Sequence, residues 1–153
     1  VESIVEKYFD GDGMKYAKAY YEALSCLPQY GNFDILAHFD LITKHMDHKD
    51  FFDIHSKEYL KIAIEAAESL AGKIPFFEVN TGAISRGYRT SPYPAGFILD
   101  EMKTLGIGVV ITSDCHNKNY IDCAFNESEK ILRTHGFTEH FVFKNGVFVP
   151  EKL

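Results

Sequence analysis

The chemistry-bearing core of this sequence is Asp114-Cys-His116, a carboxylate and an imidazole two positions apart. In an extended segment, residues i and i+2 point the same way, so the two groups would aim at one spot. They follow Val109-Val-Ile111, an apolar, β-branched run that reads as a strand buried on both faces. The carboxyl end of such a strand is where α/β proteins hold metal ligands. An aspartate capping a helix beside a loop histidine is the other reading of the same residues.

Two more strands end in polar groups. Phe33–Ala37 is followed by His38, and Ile74–Val79 carries Glu78 and leads into Asn80. Parallel strands bring their carboxyl ends to one rim, so these residues converge despite their separation in sequence. Singly, His38 also reads as a hydrogen-bonded structural histidine, and Glu78 as an ion-pair partner. Together, two histidines and an aspartate suit zinc, manganese or iron, which makes His38, Asp114 and His116 the metal-ligand candidates. A glycine-containing loop, 82–94, leaves the Glu78 strand with Arg86 and Arg89. Arginine forks bind phosphate bidentately, and a solvated surface loop is the alternative. Arg86 lies nearer the strand and is the better placed of the two.

The elements that must position these groups alternate. Helical spacing marks 13–27, 56–71, a segment carrying Ile98, Met102 and Leu105, and 119–135 with Ile121, Phe125, Ser128 and Leu132 inward. Ser56 is an N-cap and Gly72, Gly106 and Gly136 are stops. Asn145-Gly146 between His140–Phe143 and Val147–Val149 predicts a type I′ hairpin turn. About four strands alternating with helices imply an α/β fold with a parallel sheet. That is too few strands to close a barrel, which takes about eight, and an open flavodoxin-like sheet competes.

The long polar connection from Phe39 to Phe52 carries His45 and His48; with His55 they read as solvated loop residues. Cys115, between two inward-pointing neighbours, reads as a packed small residue. The formal net charge of −6 and the absence of a Lys/Arg cluster count against nucleic acid and anionic membrane as partners. Apolar runs fall far short of the roughly 20 residues of a membrane span. Three cysteines without a C-x-x-C favour a reducing, cytoplasmic setting. Asn126-Glu-Ser128 fits the glycosylation pattern but falls in a predicted helix. The 153 residues, without a composition break, read as a single domain.

Four stretches in order, Phe33-Asp-Ile-Leu-Ala-His-Phe-Asp-Leu-Ile42, Glu78-Val-Asn-Thr81, Tyr93-Pro94 and Thr112-Ser-Asp-Cys-His116, resemble the polymerase and histidinol phosphatase (PHP) superfamily. The resemblance is nearest to its histidinol-phosphatase type. It implies the later part of a distorted (β/α)7 barrel with two or three divalent metal ions at the carboxyl rim. It implies a phosphomonoester hydrolase of histidine biosynthesis acting on a small phosphorylated substrate. His38, Asp114 and His116 would be metal ligands, Asp114 and His116 also catalytic. Arg86 would bind phosphate, and Arg89, Asn80 and Glu78 are further substrate or phosphate candidates from their place on the same rim. The family's opening His-x-His is absent, and Cys115 stands where the family usually has alanine. The chain, which begins at Val1, is therefore expected to be the C-terminal portion of such a domain. Another PHP hydrolase, of phosphotyrosine phosphatase or exonuclease type, and an inactive PHP remnant that binds are the alternatives.

Overall fold

The computed structural model describes residues 1–44 and 51–153. His45 and His48 of the long connection lie outside the described residues. In chain order the elements are α1 (Glu2–Phe9), α2 (Gly13–Ser25), β1 (Ile35–Leu36), α3 (Lys57–Leu70), β2 (Phe76–Asn80), α4 (Gly82–Ser85), α5 (Gly96–Thr104), β3 (Gly108–Thr112), α6 (Phe125–Thr134), β4 (Glu139–Lys144) and β5 (Val147–Lys152). Short 3-10 turns follow α2, follow β1 and precede α6.

The fold is mixed α/β, with a three-stranded parallel sheet in the order β1-β2-β3. Alternation along β2 explains its two faces. Phe77 and Val79 are wholly buried against the helices, whereas Glu78 and Asn80 lie on the opposite face. One buried cluster joins Ala17 and Tyr21 of α2, Tyr59 to Leu70 of α3, Ile98 to Met102 of α5, Leu132 of α6, and the inward residues of β2 and β3. Asp12 caps α2 by accepting from Met14 N at 2.9 Å, and Ser56 caps α3 by accepting from Tyr59 N at 3.1 Å. Such caps contribute about 1 kcal/mol each.

The structure departs from the sequence pattern in several places. The parallel sheet has three strands, because the last two form a separate antiparallel hairpin. Asn145 and Gly146 both take positive φ at its turn, the geometry that Asn-Gly favours. The first strand shrinks to Ile35–Leu36, since Phe33 is 39% exposed and His38 turns left-handed at φ 57°. Helix α6 begins six residues later than its apolar spacing suggests: Ala124 is left-handed at φ 58°, and Ile121 is exposed rather than packed. α1 has no clear signal in the sequence, and it buries only Val5. The connection after β1 is less polar in space than in sequence, burying Phe39, Ile42 and Phe52. Among the described residues, no helix is long and apolar enough to cross a membrane.

Candidate active site at the carboxyl rim

Because β1, β2 and β3 are parallel, the residues after them share one rim. β2 is central and its polar face supplies the floor. Glu78 is 7% exposed, and both of its carboxylate oxygens are engaged. Oε2 accepts from His38 N at 3.0 Å, and Oε1 accepts from the Thr112 hydroxyl. Glu78 thus ties the turn after β1 to the end of β3. Occupied as an acceptor on both oxygens, Glu78 is placed to support the rim. Asn80 Oδ1 accepts from Gly82 N at 2.8 Å and its Nδ2 stands 3.4 Å from His38 Nδ1.

Asp114 follows β3 but is not extended. Its φ is 42°, so the i, i+2 alignment expected for Asp114 and His116 is replaced by a left-handed turn. The turn still brings the two side chains together, with His116 Nε2 3.6 Å from Asp114 Oδ1. The Cys115 side chain is half-buried and the His116 side chain is 74% exposed.

Arg86 reaches this turn from the end of α4. Its Nη1 donates to the Asp114 carbonyl at 2.9 Å and its Nη2 to Asp114 Oδ2 at 3.0 Å. Partial burial pushes the Asp114 carboxyl up. The Arg86 hydrogen bond and charge, with His38 and His116 behind them, outweigh burial and hold it below its ordinary value. Gly82 makes that reach possible: a Cβ there would lie 2.8 Å from both Ser113 O and Arg86 Nη2.

Arg89 turns elsewhere. It donates from Nη1 to Thr43 Oγ1 at 2.8 Å and lies over the Tyr93 ring at 4.4 Å. Near it Asp40 is fully buried, with Oδ2 accepting from Ala95 N at 2.9 Å. Burial raises the Asp40 carboxyl to about 6, against the pull of Arg89 and that amide. Asp40, Thr112 and Gly82 are the participants that sequence reasoning missed. An aspartate inside the apolar run Phe39-Asp-Leu-Ile42 was the one available signal.

The donor chemistry of the rim suits a divalent ion, imidazole paired with carboxylate. Two donors about 2.0–2.2 Å from a tetrahedral ion stand roughly 3.3–3.6 Å apart. His38 Nδ1 and Glu78 Oε2 are 3.3 Å apart, and His116 Nε2 and Asp114 Oδ1 are 3.6 Å apart. Yet these are two pairs. Among the described residues, no group of three His, Cys, Asp or Glu side chains is arranged to hold one ion. The described donors alone do not complete a metal centre. The chain matches no family model, and no curated protein matches it at a significant level.

Proposed function

We propose that this rim belongs to a metal-dependent phosphomonoester hydrolase of the PHP type, with histidinol phosphate as the favoured substrate. On this reading the strands are the later part of a distorted (β/α)7 barrel. The observation that carries it is the Arg86 fork, held on Asp114 beside two imidazole–carboxylate pairs at the ends of parallel strands. Arg86 would take a non-bridging phosphate oxygen with the N–H groups that Asp114 leaves free. His116, more exposed than His38, Glu78 or Asp114, would meet an incoming substrate and move a proton. Glu78 would act from behind, fixing the turn after β1. Divalent ions supply activated water and charge for the departing oxygen in such enzymes, and here they would need donors beyond these four.

The test uses phosphomonoesters, histidinol phosphate among them, with zinc or manganese, and inorganic phosphate as an inhibitor. Arg86→Ala removes a charge-assisted contact of about 1.5–3 kcal/mol and should weaken phosphate roughly 10–100-fold while leaving divalent-ion binding in place. Unchanged phosphate inhibition in that variant would take Arg86 out of the site. The separation of the donors into two pairs favours a second reading, an inert module that binds phosphate without hydrolysing it. Phosphate binding with no turnover under any divalent ion would select it.

A further inference from the structure

We propose that Asp40 and Arg89 are positioning residues, which strap the loop bearing Arg86 to the segment bearing His38. The proposal rests on the reading of this rim as a phosphate site.

Two of the segments that build the rim, 38–43 after β1 and 81–95 after β2, lie outside the strands of the parallel sheet, the second passing through the short helix α4. Two crossings join them. Asp40, two residues past His38, accepts from the amide of Ala95, the residue that opens α5. Arg89, three residues past Arg86, donates to Thr43 Oγ1, and that hydroxyl in turn donates to the Asp40 carbonyl at 2.8 Å. Tyr93, under the Arg89 guanidinium, exchanges two backbone hydrogen bonds of 3.0 Å with Asn80 and so anchors the loop to β2. The Arg89 charge offsets part of the cost of burying the Asp40 carboxylate, and its fork is turned to Thr43 rather than to Asp114. The strap therefore fixes the distance between the imidazole of His38 and the fork of Arg86.

Hydrogen exchange of the amides over 81–86 reads the strap, and the affinity for inorganic phosphate reads its consequence. Breaking a charge-assisted crossing with Arg89→Met should speed exchange there about tenfold and weaken phosphate about tenfold. Arg89→Lys keeps the charge but not the fork and should recover part of both. Arg86→Ala removes the fork itself, with its two bonds to Asp114, and should weaken phosphate even with the Arg89 and Asp40 crossings in place. Should Arg89→Met fail to fold, Thr43→Val removes one crossing at nearly constant shape and should raise exchange about threefold. Unchanged exchange in a folded Arg89→Met or Thr43→Val protein overturns the strap. Faster exchange with unaltered phosphate affinity overturns its positioning role. A wild-type chain that binds no phosphate sinks the functional reading, while the exchange data still decide the strap.

Discussion

The left-handed backbone at Asp114 and the bare backbone of Gly82 meet at the same point. Ser113 O and Arg86 Nη2 both lie where a side chain on residue 82 would go. The arginine tip is flexible, but the carbonyl is part of the chain and cannot easily yield. Gly82→Ala should therefore destabilise the protein by about 1–3 kcal/mol and separate Arg86 from Asp114. Urea denaturation reads the first effect, and the Arg86 side-chain resonances read the second. An unchanged midpoint would mean that α4 does not approach β3 this closely.

At the scale of elements, α2 and α3 meet through two buried hydroxyls, Tyr21 Oη and Tyr59 Oη, 3.0 Å apart. Tyr21→Phe alone leaves the Tyr59 hydroxyl without this partner and should cost about 1–3 kcal/mol. The double Tyr21→Phe/Tyr59→Phe change should cost less than the two single changes added together. Thermal unfolding of the three variants measures the cycle, and strict additivity would show that the hydroxyls do not pair. Burial first raises both phenols above their ordinary value near 10, followed by Tyr59 and then Asp40 for Tyr21, and by Asp40 for Tyr59. In the unfolded chain tyrosine ionises near pH 10, while the folded chain holds these protons longer. Their stabilisation is complete below about pH 10 and is lost as the pH rises beyond it. Denaturant midpoints from pH 8 to pH 11 should fall, and the doubly substituted protein should fall less.

For the whole molecule the deciding quantity is the number of donors on one ion. The pairs at 3.3 and 3.6 Å would each offer an ion two described donors, and affinity falls steeply with ligand count. The 153-residue chain should therefore hold zinc or manganese weakly and lose it on dialysis. Metal content after equilibrium dialysis checks this. Stoichiometric retention would show that further donors of the chain complete the centre.

Periodicity alone marked α3 and β2, because each buries one side against a large neighbour and Ser56 caps as its type predicts. It also marked the rim, since parallel strands fix where His38, Glu78, Asn80 and Asp114 emerge. It failed where the neighbour decides. β1 pairs with β2 over only two residues, so the apolar Phe33 stays exposed, and nothing local in Phe33–Ala37 reports that. Ile121 keeps helical spacing yet lies outside a helix that starts at Phe125. The paths of the two arginines are equally invisible in their loop. Arg86 reaches Asp114 because Gly82 lets α4 close on Ser113, and Arg89 reaches Thr43 near a buried Asp40. Residue type fixed what each guanidinium can bind; only the folded chain decides what stands within its reach, because those partners lie 28 and 46 residues away.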